Sequence, residues 1–269
     1  MRMWQGLVAV AMGILFTGCV ASSTQGGALG VNRGQLMLVS SAQMQAGADE
    51  AYAQVLGKAK EEGKLNQDKA QVERLRTIAK RLVAHVGVFR QDATQWAWEV
   101  NLITEDTLNA WCMPGGKIAF YTGILDQLKL DDHEVAAIMG HEMAHALREH
   151  SRERASQDQL RQIGLFAVQK ATGASGEVMK LADMATHYTI SLPYSREHER
   201  ESDIIGLELA ARAGYEPMGA VRVWEKMAKA SPSSPPEFLS THPSPQSRIA
   251  ELKQAAARVM PLYEKASKP

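Results

Sequence analysis

The chain has 269 residues, 45% of them hydrophobic, and its 30 basic and 30 acidic side chains cancel to a formal charge of zero. Even charge with no basic stripe excludes a nucleic-acid-binding surface. Length and apolar content suffice for one domain with a sizeable core.

Residues 1–18 read as a signal peptide. Arg2 supplies a positive start, and Leu7 to Phe16 form an apolar run far short of the ~20 residues that span a bilayer. Thr17 and Gly18 then precede Cys19, an order that resembles a bacterial lipoprotein signal in which the cysteine is lipidated and becomes the new N-terminus. Phe16 stands three before the cysteine, where Leu is usual. The alternative is an ordinary secretory signal with an incidental cysteine. Val20, in the place where Asp would retain a lipoprotein, resembles the outer-membrane sorting pattern. The residues after Cys19, up to Gly30, are mostly polar and small, and 19–40 are expected to form a flexible tether carrying the lipid. With Cys19 lipidated, Cys112 has no partner; it reads as a buried inert thiol, with an intermolecular disulfide or a redox role as the alternative.

A single domain is expected over 41–262, followed by a tail over 263–269. Ser40 or Ser41 caps a helix running to about Lys60, and Gly63 stops it. Asn66 is expected to cap a second helix, in which Val72, Leu75, Ile78, Ala79, Leu82 and Val83 recur at helical spacing. Three short β-rich segments follow: 96–103, 108–113 and 117–122, the last two joined by the turn residues Pro114-Gly115-Gly116. Their close spacing predicts a small antiparallel sheet of about three strands. From Asp131 onward helices dominate: one capped by Asp131 or Asp132, a stretch from Ser151 to Thr189 broken near residues 172–176, one over 199–213, one opened by Pro217, and a last from about Ser247. The fold class expected is α+β, mostly helical.

The helix after Asp131 carries His141-Glu142-Met143-Ala144-His145. Side chains four apart share a helix face, so both imidazoles point one way and can grip a single zinc ion, and the glutamate between them can act on a water at the metal. A catalytic zinc usually takes a third protein ligand. Glu199 and Asp203, four apart in a later helix, fit that need: Glu199 as the ligand and Asp203 as acceptor of a ligating imidazole's N–H. His150, five after His145, falls off the ligand face, and His85, His133, His187 and His198 are likewise read as non-ligands.

The order HExxH, Ser195-Arg196-x-x-Glu199-x-x-x-Asp203, Ala213-Gly214-Tyr215-x-Pro217, then Thr241-His242-Pro243 with Arg248, is similar to one zinc metallopeptidase family of the gluzincin type. That family includes the CAAX prenyl protease, the HtpX heat-shock protease and periplasmic quality-control proteases, and the chain looks closest to lipoprotein members of the LoiP type. Asn109-Ala110 and the Pro-Gly-Gly turn match as well, and the resemblance covers roughly 70–255. Ser202 departs from it, where Ala is common. The resemblance implies a zincin-like fold, one zinc ion held by His141, His145 and Glu199, Glu142 as catalytic base, and Asp203 supporting a ligand. In some relatives the residue matching His242 lies over the site and can take the fourth zinc position; a structural loop histidine is the other reading. Arg248 is either an oxyanion donor or a partner of the Glu199 helix. The strand at Asn109 and Ala110 is a plausible edge for an extended substrate.

Together these imply a membrane-tethered zinc endopeptidase acting on misfolded or unassembled envelope proteins at the periplasmic face of the outer membrane. The alternatives are a catalytically silent scaffold or chaperone on the same fold, and a zinc esterase or amidase acting on the cell wall.

Overall fold

The computed structural model describes residues 20–186, 192–230, Phe238, His242 and 246–269. The signal segment and Cys19 therefore lie outside the described residues. The stretch from 20 to 39 is not a free tether. Strands β1 (Val20–Ala21) and β2 (Gln35–Leu36) pair antiparallel, and the loop between them docks on the body. The amide of Ala28 donates to the buried Glu208 carboxylate at 2.8 Å. Arg33 reaches Glu153 at 2.7 Å and Glu201 at 3.0 Å, and Gln35 is fully buried. Small residues that have nothing to bury leave their backbone free, and here that backbone and two long polar side chains meet buried carboxylates that need donors.

Helix α1 (Ser41–Glu61) starts at a capping box, in which Ser40 accepts from the Gln43 amide and the Gln43 side chain accepts from the Ser40 amide. Helix α2 (Lys69–Val83) buries Val72, Leu75, Ile78, Ala79 and Leu82 along one face. Its cap is Asp68 rather than Asn66. Asn66 takes a left-handed turn (φ 55°) and crosses to the sheet, where its Oδ1 accepts the Leu102 amide at 2.9 Å.

The sheet holds β3 (Glu99–Ile103), β4 (Ala110–Met113) and β5 (Lys117–Tyr121) in the order β3-β5-β4. It is mixed, not antiparallel: β5 runs antiparallel to β4 and parallel to β3. Gly115 and Gly116, at φ 79° and 82°, close the β4–β5 hairpin. The fully buried Ile118, Ala119 and Phe120 put β5 at the centre. β3 must then pair on its far side, and β4 is left as the edge. The first strand starts at Glu99 instead of residue 96 because residues 92–95 form a 3₁₀ turn, to which the Trp98 indole donates at 2.8 Å.

A short α3 (Thr122–Gln127), not read from the sequence, leads to α4 (Asp132–Leu147). Asp131 and Glu134 form its capping box, and it is buried on nearly every side. α5 (His150–Thr172) and α6 (Gly176–Thr186) follow, then α7 (Leu192–Arg212), α8 (Met218–Ala230) and α9 (Gln246–Lys265). α4 packs between α7, α8 and β4. α9 continues three residues past the boundary expected at 262, because Leu262 and Tyr263 pack on the core. Among the described residues no helix is long and apolar enough to cross a membrane.

Candidate metal centre

Gly140 on α4 and Gly206 on α7 set the distance between the two helices that carry the candidate ligands. A Cβ on Gly206 would lie 2.5 Å from the His141 amide nitrogen, and one on Gly140 would lie 2.8 Å from the Gly206 carbonyl oxygen. Glycine at both positions lets the backbones touch. Asp203 and Glu199 sit one and two turns before Gly206, so this contact delivers their carboxylates to the face that presents His141 and His145.

The candidate donor atoms converge. His141 Nε2 lies 3.2 Å from His145 Nε2. The Glu199 carboxylate lies 3.3 Å from His141 Nε2 and 3.4 Å from His145 Nε2. His242 Nδ1 completes the group, 3.3 Å from His141 Nε2 and 2.9 Å from Glu199 Oε2. A tetrahedral zinc with N and O ligands at ~2.0–2.1 Å requires ligand atoms about 3.3–3.4 Å apart. The His141–His145 distance and the distances from each imidazole to its nearer Glu199 oxygen are close to that figure, and one donor atom from each of the four residues can be chosen so that all lie within 4.8 Å of one another.

The electrostatics also call for positive charge. Burial alone would push the Glu199 carboxyl up, but the imidazoles of His145, His141 and His242 outweigh it and hold the group well below the usual carboxylate range. Burial alone would push His141 down, yet Asp203 and Glu199 carry it up to about 10. Two buried carboxylates drawing a proton onto an imidazole describe a cation site, and a divalent ion answers the same demand. His145, by contrast, is pushed down by burial, which suits a neutral ligand.

Residues 69–256 match peptidase family M48. The chain belongs to that family, whose members use zinc, and His141, His145, Glu199 and His242 form a group that could hold one metal ion. Similar proteins include a mitochondrial metalloendopeptidase OMA1 of Arabidopsis thaliana, 38% identical over 59% of this chain and 32% of its own length. The OMA1 of Schizosaccharomyces pombe is 32% identical over 66% of this chain and 50% of its own length. The beta-barrel assembly-enhancing protease of Escherichia coli is 25% identical over 72% of this chain and 40% of its own length. The chain thus spans a third to a half of the relatives it matches.

The remaining sequence-derived site residues fall into three places. Glu142 is buried beside the cluster; its Oε1 makes no hydrogen bond and lies 3.5 Å from His242 Nε2, and burial raises its carboxyl above the usual range. Asp203 Oδ1 lies 3.0 Å from His141 Nδ1, while Arg248 grips both Asp203 oxygens at 2.7 and 2.8 Å and reaches Glu199 at 3.2 Å. The buried Arg248 fork is thus committed to the carboxylates of α7. Asn109 and Ala110 stand at the start of edge strand β4, next to the zinc helix. The half-buried Cys112 is a free thiol.

The sequence reading sets His150 and His198 aside as non-ligands and misses their link, with Glu201, to the cluster. His150 is not a ligand, but its Nδ1 lies 3.0 Å from Nδ1 of His145. Helical geometry puts residue 150 off the face only if the helix continues. It breaks at Glu149, which takes the left-handed conformation (φ 51°) and swings His150 back. One signal was present: the tripeptide Arg-Glu-His occurs at 148–150 and again at 196–198, each beside a ligand motif.

Proposed function

We propose that the protein is a zinc endopeptidase that hydrolyses peptide bonds of misfolded or unassembled proteins, with Glu142 as general base. The observation that carries the reading is the set of 3.2–3.4 Å contacts among His141, His145 and the Glu199 carboxylate, with a buried Glu142 oxygen alongside that makes no hydrogen bond. Zinc bound there supplies Lewis-acid activation of water and of the scissile carbonyl. Glu142, its carboxyl raised by burial, takes the proton that the attacking water gives up and passes it to the leaving amine. Asp203 fixes the His141 ring through Nδ1, and Arg248 fixes Asp203.

Substrate recognition rests on β4. As an edge strand it offers unpaired backbone groups to an extended chain, which favours unfolded polypeptide over a short consensus. The Phe238 amide already donates to the Leu108 carbonyl at 3.1 Å, just ahead of β4, and Phe238 stacks on the His242 ring with centroids 4.5 Å apart. These contacts of Phe238 keep His242 beside the other donors, where it would complete a four-residue set around a bound zinc; such a state would be self-blocked, and outward movement of Phe238 and His242 would admit water and substrate together.

The cellular setting proposed is the periplasmic face of an outer membrane, with the chain tethered through a lipid on Cys19. Arg2, the apolar run and Cys19 support this, as does a relative named for β-barrel assembly. The test uses the purified chain and unfolded casein. Cleavage that disappears on chelation, returns with zinc, and is lost in Glu142→Gln with zinc still bound is the expected result. Undiminished cleavage by Glu142→Gln would remove Glu142 as the base, and a wild-type chain that binds zinc without cleaving protein would leave the scaffold reading.

A further inference from the structure

We propose that His150 is a positioning residue for the zinc ligand His145. The inference rests on the metal site proposed above and extends it to side chains from three separate segments. His145 Nε2 faces the other ligands, so a metal-bound His145 carries its proton on Nδ1. Three ångströms from that nitrogen stands Nδ1 of His150. It can accept the bond only if the His150 proton sits on Nε2, and Nε2 lies 3.0 Å from Oε2 of Glu201, a carboxylate able to take it. In this assignment His145 donates to His150, and His150 donates to Glu201.

The relay is fixed at every link. The His150 ring stacks on His198, with centroids 4.3 Å apart and planes 16° off parallel. His198 in turn bonds Glu153 at 3.0 Å. Glu201 is held by Arg148 at 2.9 Å and by Arg33 of the N-terminal segment at 3.0 Å. The Ser202 hydroxyl lies 3.3 Å from His150 Nδ1, farther than His145, so it is the weaker contact at that nitrogen. His150, His198, Glu153 and Glu201 are all fully buried. The two histidine ligands are thus supported differently. His141 faces the Asp203 carboxylate directly, whereas His145 meets a neutral imidazole that sets the carboxylate one ring further from the metal. Ligand orientation is preserved at His145 while a further negative charge is kept away from the ion.

The variants His150→Asn and His150→Gln test this. The Asn amide oxygen stands near Nδ1 and can accept from His145; the Gln amide reaches toward Nε2 and Glu201 and leaves His145 without its acceptor. Both are polar and smaller than or similar to imidazole, so their contrast reports the acceptor and not burial. Zinc affinity is measured on the full chain by chelator competition, with the visible absorption of the cobalt(II)-loaded chain as a readout of ligand geometry. His150→Gln is expected to weaken zinc binding about 10–100-fold, to shift the cobalt bands, and to lower kcat on casein with little change in KM. His150→Asn is expected to restore most of each. Equal zinc affinity in wild type and His150→Gln, or equal losses in both variants, would overturn the positioning role. A wild-type chain that takes up no zinc would instead overturn the metal site itself.

Discussion

Gly206 and His141 touch through their backbones: the glycine's missing Cβ would sit 2.5 Å from the histidine's amide nitrogen and 2.7 Å from the Gly140 carbonyl carbon. Alanine at 206 would favour the helix by about 1 kcal/mol. The obstructing atoms are main chain of α4, however, and cannot move aside as a side chain can. The clash should therefore win, at about 1–3 kcal/mol of overpacking. Because α7 carries Glu199, separation of the helices also lengthens its reach to zinc. Gly206→Ala is expected to lower the melting temperature and weaken zinc binding together; a variant more stable than wild type would show that the contact is not what spaces the ligands.

Asp203 is held between His141 and Arg248. Removing it leaves the Arg248 guanidinium buried, with the Glu199 carboxylate 3.2 Å away. That cation then competes with zinc for the same ligand, while His141 loses the acceptor at Nδ1. Asp203→Ala is expected to weaken zinc affinity about 10–100-fold, and the double variant Asp203→Ala with Arg248→Met should recover part of the loss by removing the competing charge. Titration of both variants with a zinc-competing chelator decides it, and a double variant no better than the single one would count against the competition.

His242 donates its Nδ1 position to the ligand cluster and places Nε2 3.5 Å from Glu142, so one ring covers both the fourth zinc position and the base. His242→Ala should uncover them. The initial rate of casein cleavage is expected to rise, with zinc affinity falling modestly because His141, His145 and Glu199 still hold the ion. A rate that falls with zinc saturating would make His242 a participant in the reaction instead of a block.

How far the sequence reading reached follows from what kind of interaction each feature depends on. His141, Glu142 and His145 lie within one helix, where spacing alone sets direction, and the Glu199-Asp203 pair obeys the same rule one element later. The apolar face of α2 was legible for that reason too. The mixed sheet was not, because strand order depends on which strand buries both faces, and the burial of Ala119 is a tertiary fact that no alternation reveals. His150 escaped because the turn at Glu149 is left-handed without a glycine to announce it. The N-terminal segment escaped because its partners are distant in the chain: the Ala28 and Leu29 amides donate to Glu208, and the Arg33 side chain reaches Glu153 and Glu201.

That segment carries a pH dependence of its own. Burial would raise the Glu153 carboxyl, but the Arg33 guanidinium, with His198 and Gln35, outweighs burial and holds it well below the usual range. In the unfolded chain Glu153 returns to an ordinary value of about 4.3. The folded state therefore binds protons less readily, so stability rises with pH through this window. The contribution is fully present above about pH 5 and drains away as pH falls through the unfolded value toward the depressed folded one. Glu153→Gln removes the titrating group while keeping a side chain that can accept from Arg33. The melting temperature of wild type is expected to fall more steeply than that of Glu153→Gln between about pH 5 and pH 3.5, with the two curves converging at the acid end. Parallel curves across that interval would mean that Glu153 does not couple the segment at 20–39 to the stability of the domain.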